Sequence, residues 1–272
     1  GIAPAIAPVI GGWLLGRQRW PSIFWFLMLF ALGLAAIVWR ALPETHPPQA
    51  RLPLQAGPLL RGYLGIVRSP RFLRLSAAGA LNFGALFLYI ASAPAFVIDL
   101  LGLGERQFGW FFIPMIGGMM LGAFVSGRSA GRIDGARLVG IGFACCGGAA
   151  ALNIGYNLVA AVPAIPWAVL PMSLNAFGVA LVFPIVTLAI LDMYPLQRGG
   201  ASSMQAFIGL LLNAAIAGVL SPLLSHRGLH LALGAAAFSV VAWLVWRWEL
   251  SRGPHALRTS PDAPALEPTD EL

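Results

Sequence analysis

Charge is what this sequence has least of. Aspartate, glutamate, lysine and arginine make up 10% of its 272 residues, where soluble domains carry about 25%. So few charges could not cover the surface of a soluble fold of this size, so lipid is the natural solvent for most of the chain. Lysine is missing altogether, and all 17 basic residues are arginines. They stand singly between apolar runs rather than on one face, which argues against a nucleic-acid partner despite a formal net charge of +7. Cysteine is limited to the adjacent pair Cys145 and Cys146 inside an apolar run. That excludes a disulfide framework and a zinc site built on CxxC spacing, and leaves them as small packing residues. Histidines 46, 226, 230 and 255 fall in loops or at span ends, and no acidic pair lies within a span. An intramembrane enzyme would need such groups facing a cavity, so no catalytic residue, metal site or organic cofactor is expected. A polar or positive lead-in is also missing. The chain opens "GIAPAIAPVIGGWLLG", already apolar, unlike a signal peptide or the mature end left by its cleavage. The expectation is that these residues are the back part of something longer.

What is abundant is apolar sequence, 58% of the chain. Runs of about 20 predominantly apolar residues mark membrane spans. Eight candidates occur, at 1–16 (incomplete), 21–40, 74–98, 108–127, 138–156, 163–191, 201–224 and 229–248. None alternates as a barrel strand would, so the fold class is all-α, a polytopic membrane helical bundle. The sixth run is long enough to be tilted or broken near Pro171 or Pro184. Loops alternate sides, and one set carries thirteen arginines (Arg40, 51, 61, 68, 71, 74, 128, 132, 137, 198, 247, 252 and 258) against four in the other. Positive charge is retained in the cytoplasm, so both ends of the chain are expected there. Within the long segment 41–71, "LLRGYLGIVR" sets Leu60, Leu64 and Val67 along one side, as in an interfacial helix. The proline-rich, acidic tail 251–272 is expected to be disordered.

Glycine and the few polar residues inside spans carry the local information. Gly118 and Gly122, then Gly127 and Gly131, are spaced four apart, which permits close helix approach. The loop "GAFVSGRSAGRIDGAR" holds Gly127, Gly131, Arg132, Asp134 and Arg137 between two helices; its glycines suit a tight turn, its arginines helix-end carbonyls or an acidic partner. Asn82 and Tyr89 share a helical face with Ser92 at its edge, Ser202, Gln205, Gly209 and Asn213 share another, and Asn175 is a third contributor. Polar side chains avoid lipid, so these line the interior as substrate-pathway candidates or tie helices together. Phe83, Phe87, Phe177 and Phe207 would make such an interior mostly apolar. Pro8, Pro94, Pro114, Pro171 and Pro184 lie within spans, where a missing backbone donor bends a helix.

Several of these stretches together resemble one family. The loop at 122–137 is similar to the second-half loop motif of the major facilitator superfamily. "APVIGGWLL" at 7–15 resembles the antiporter motif of its fifth helix, with Pro8, Gly11 and Gly12 in place and Ala7 where glycine is usual. "IFWFLMLFALGLAAIVWRALPET" at 23–45 resembles the sixth helix and its exit, "FLYIASAPAFVI" at 87–98 the seventh, "FGVALVFP" at 177–184 the tenth and "GGASSMQAF" at 199–207 the start of the eleventh. The branch they resemble is the bicyclomycin/chloramphenicol-resistance (Bcr/CflA) type of drug-efflux transporter.

The resemblance implies twelve helices in two halves, of which this chain would hold the fifth to the twelfth. Residues 1–40 would end the N-terminal half-bundle, 41–71 form the cytoplasmic central loop, and 72–250 the C-terminal six-helix bundle. It implies proton-coupled export of small apolar or amphipathic drugs across a bacterial inner membrane, with the proton gradient in place of a cofactor. Every acid here lies in a loop, at a span end or in the tail, so the coupling acid is expected in the missing helices. The alternative is a non-transporting remnant, or a half-transporter that needs a partner chain.

Overall fold

The computed structural model describes residues 20–43, 56–104, 107–160 and 162–252, together with Gly11 and Leu14. Expectations for Pro8, Gly12, Glu44, Thr45 and the tail beyond Arg252 lie outside the described residues, as does all but two positions of the span 1–16. Among the described residues there is no strand, and seven helices are long and apolar enough to cross a membrane. The chain is a multi-pass helical membrane protein.

It divides into two compact units, Gly1–Gly62 and Tyr63–Leu272. In the first, helix α1 (Pro21–Ala41) starts with proline in its first turn, where the missing N–H is not needed. It is apolar on every side and buries none of its residues. Helix α2 (Ala56–Val67) exposes Leu60 and Leu64. Its last turn belongs to the second unit, where Ile66 is fully buried in the core.

The second unit contains six long helices: α3 (Pro70–Ala91), α4 (Gly109–Ser129), α5 (Gly135–Val159), α6 (Leu170–Met193), α7 (Arg198–Leu224) and α8 (Gly228–Arg252). α6 is the hub, packed against α4, α5 and α3, while α8 lies on α3 and α5 and α7 joins α3 and α6. Start signals are local. Ser69 Oγ accepts from Phe72 N (3.4 Å) before Pro70, and Asp134 accepts from Arg137 N (3.2 Å) ahead of α5. The expected span 163–191 begins instead at Leu170. Pro163 and Pro166 lack the N–H groups a helix would use, so the chain turns there, and Pro171 sits in the first turn of α6, where it ends no hydrogen-bond ladder. Pro114 and Pro184 do lie inside helices, and Pro94 adjoins a π-helical turn at Ala95–Leu100.

In lipid no hydrophobic push drives apolar helices together, so side-chain size and polar ties decide the packing. The α4–α6 seam is made by glycine. A Cβ on Gly118 would run into the carbonyl oxygen of Ser173, and one on Gly122 would lie 2.5 Å from the carbonyl of Phe177. Ser173 Oγ donates to the carbonyl of Pro114 at 2.7 Å, pinning the same crossing. On the other side of α6 a Cβ at Gly178 would meet Cys146 Sγ and the carbonyl of Gly142, both at 2.6 Å. Gly127 has open space around it, whereas Gly131 has φ +72° and makes the left-handed turn that leads to Asp134. So the four regularly spaced glycines split into two roles, contact and turn, with Gly127 in neither. Arg128, Arg132 and Arg137 are exposed around that turn, and none of them forms an ion pair among the described residues.

Candidate functional site

A concavity in the second unit has a volume of about 620 Å³ and lies between α3, α4, α6 and α7. That is within the roughly 300–1,000 Å³ usual for small-molecule sites. α3 presents Ser76, Ala80 and Phe83 to it, at the helical spacing of one face, and α4 adds Met119 and Ala123. α6 brings Phe183, Pro184 and Thr187, and α7 brings Ser202, Gln205, Gly209 and Asn213. Phe83 of α3 and Phe183 of α6 meet at the cavity wall with ring centroids 6.4 Å apart, tilted by 52°. The polar groups are all neutral. Gln205 Nε2 donates to Thr187 Oγ1 at 2.9 Å, which orients the amide, and buried Ser76 Oγ has no partner among the described residues. Among the described residues no acid, arginine or histidine lines the cavity. Such a wall can hold a small, mostly apolar molecule and offer it a few hydrogen bonds. None of the described lining residues could move a proton at neutral pH.

The sequence-predicted residues separate into two sets. Ser202, Gln205 and Asn213 line the cavity together, as their spacing on α7 implied. Asn82, Tyr89, Ser92 and Asn175 are buried inside the bundle and are not among its lining residues. Tyr89 and Asn175 instead border a second cavity of about 20 Å³, enough for one water, together with Asn153 and Ser239. There Asn153 Nδ2 donates to Tyr89 Oη at 2.6 Å, and Asn157 Nδ2 donates to Asn153 Oδ1 at 3.0 Å. Asn175 Oδ1, Ser239 Oγ and both polar atoms of Asn82 have no partner among the described residues. Ser92 Oγ pairs with Ser221 Oγ at 2.8 Å and joins α3 to α7. Tyr89→Phe leaves the Asn153 amide without its partner, so a loss of about 2 kcal/mol is expected. Thermal unfolding in detergent measures it, and adding Asn153→Ala to Tyr89→Phe should cost less than the sum of the two single changes.

Sequence reasoning missed Ser76, Phe183 and Thr187 on the cavity and Asn153 in the polar knot. Ser76 stands seven residues before Phe83, which puts both on one face of α3, and that spacing could have found it. Thr187 carries no comparable signal, because only the packing of α6 against α7 brings it to Gln205. Gly11 is helical with nothing within 4 Å of a Cβ placed on it, and the rest of its motif lies outside the described residues. Among the described residues no group of three or more histidine, cysteine or acidic side chains is placed to hold a metal ion.

Comparison with known proteins adds an independent finding. The family described as the Major Facilitator Superfamily matches residues 1–212. The chain is 30% identical over 143 residues to a bicyclomycin resistance protein homolog of Haemophilus influenzae, covering 53% of this chain and 36% of that protein. It is 28% identical over 244 residues to the multidrug resistance protein MdtM of Salmonella typhimurium, covering 88% and 58% respectively. It is 31% identical over 183 residues to the multidrug transporter MdfA of Edwardsiella ictaluri, covering 66% and 43%. The chain thus spans 36% to 58% of the length of these relatives.

Proposed function

This chain belongs to the major facilitator superfamily, and from that premise we propose that it forms the C-terminal part of a secondary transporter that exports small, largely apolar drugs. The observation that carries the reading is the neutral cavity walled by Phe83, Phe183, Gln205 and Asn213. Its size and make-up suit a drug-like molecule held by apolar contact with a few hydrogen bonds. The names of the relatives, a bicyclomycin resistance protein homolog and two multidrug proteins, support the same substrate class.

Export in exchange for protons is part of the proposal. Asp99, Asp134 and Asp192 stand at helix ends, and Glu249 is engaged by arginines. The coupling acid is therefore assigned to another part of the transporter. Both ends of this chain are assigned to the cytoplasmic face of a bacterial inner membrane, which the distribution of arginines supports.

The test uses the native gene in a host stripped of its own drug pumps. Gln205→Leu removes a neutral hydrogen bond of about 1 kcal/mol, or about fivefold in affinity. Resistance to compounds with hydrogen-bonding groups should fall by that order, with resistance to purely apolar ones unchanged. Unaltered resistance in both Gln205→Leu and Phe83→Ala, at wild-type abundance in the membrane, would sink the assignment.

A further inference from the structure

At the end of the bundle where α3 starts and α8 stops, two arginines meet one acid, and a third lies over the tryptophan beside it. Arg74 Nε donates to Glu249 Oε2 at 2.6 Å. Arg71 Nε lies 3.1 Å from Oε1 of the same carboxylate, close enough for ion pairing but not aligned as a hydrogen bond. Arg252 sits with its guanidinium carbon 5.0 Å from the ring centroid of Trp248, and Arg74 approaches the same ring at 5.3 Å. Two guanidiniums on one carboxylate, with Arg252 over the neighbouring Trp248 ring, leave a local excess of positive charge, and the Arg74 side chain is only 14% exposed. The placement is costly on its own terms. Arg71 and Arg74 occupy the first two turns of α3, where the helix dipole already disfavours cations.

The surroundings point to what relieves this charge. Toward its end α8 exposes Val240, Val241, Leu244, Trp243 and Trp248. An apolar outward face ending in tryptophans marks a helix leaving hydrocarbon for the headgroup layer. Arginine forks match phosphate oxygens, and basic pockets between helices at this depth suit acidic headgroups.

We propose that Arg71, Arg74 and Arg252 bind the phosphate of an anionic phospholipid at this corner, with Trp248 against the lipid and Glu249 fixing the two α3 arginines in place. Glu249 orients the site and leaves it cationic.

The experiment compares protein purified from its native gene with the double variant Arg71→Gln, Arg252→Gln, which keeps the Arg74–Glu249 pair. Arg128→Gln, Arg137→Gln is the control, since those exposed arginines lie on the α4–α5 turn. Phosphatidylglycerol, phosphatidylcholine or inorganic phosphate is titrated into detergent-solubilised protein, and thermal midpoint and lipid adducts in native mass spectra are read. Phosphatidylglycerol alone should raise the midpoint and persist as an adduct. The apparent affinity should fall about a hundredfold in the site variant, the loss of two charge-assisted contacts of about 1.4 kcal/mol, or about tenfold, each, and stay unchanged in the control. Equal losses in both variants would overturn the site, as would an unchanged affinity in the site variant. A shift reproduced by inorganic phosphate would overturn the lipid as its occupant.

Discussion

Gly118→Leu is expected to abolish the folded bundle. The side chain would enter the carbonyl of Ser173, and backbone cannot move aside as the end of a flexible side chain can. Four residues on, Gly122 meets the carbonyl of Phe177, so the two helices have no slack along the seam. Inserted carbons in a packed interior cost about 1–3 kcal/mol where neighbours yield, and here the neighbour is main chain on the hub helix. Even Gly118→Ala should reach the top of that range, about 3 kcal/mol. Size-exclusion profiles in mild detergent should show the leucine variant aggregated and the alanine variant folded with a lowered thermal midpoint. A change at Gly127, where a Cβ meets nothing, should leave both readouts unaltered. If Gly118→Leu were monodisperse with a wild-type midpoint, the α4–α6 crossing would have to differ from that described.

The second large effect is expected at the end of α8. Glu249→Ala strands Arg74, whose side chain is 14% exposed, and removes the ionic partner of Arg71. Removing one partner of a buried ion pair costs about 3–5 kcal/mol. Exposure at the headgroup layer lowers this toward about 2–3 kcal/mol, because the surviving guanidinium recovers part of its solvation. Arg74→Ala should cost a similar amount, since it leaves the carboxylate alone. The double variant should be more stable than the sum of the two single losses predicts. A strictly additive cycle in thermal unfolding would show that the pair contributes nothing of its own.

How far the sequence alone could go differs between helices and site. Fold class followed from composition, and five of the expected spans match a helix to within a few residues at each end, because a bilayer demands a length that apolar runs reveal; in span 74–98 the α-helix stops at Ala91 and the π-helical turn Ala95–Leu100 completes the run. Span 163–191 was too long at its start. Its apolar residues continue through Pro163 and Pro166, and hydropathy does not register a missing hydrogen-bond donor. On α7, periodicity was enough, because the helix presents one polar face to the cavity. On α3 it was ambiguous: Asn82 and Tyr89 share one face, Ser76 and Phe83 another, and only packing against α8 and α6 decides which of the two lines the cavity. Thr187 and Asn153 act through partners on other helices, information that no single-helix pattern contains.

The π-helical turn at Ile216–Leu220 has a genetic consequence. A π turn absorbs one residue beyond the α-helical count in a single local widening. Upstream, Gln205 and Asn213 keep their facing toward the cavity, and downstream Ser221 still reaches Ser92. Deleting one codon between 216 and 220 would return the stretch to ordinary α-helix with both flanks still in phase. The same deletion between 206 and 212 would swing Gln205 and Asn213 out of alignment by about 100°, one residue's rotation in a helix. In-frame single-codon deletions should therefore survive selection in the first window and be eliminated in the second, a contrast that a deletion library across α7 would display directly.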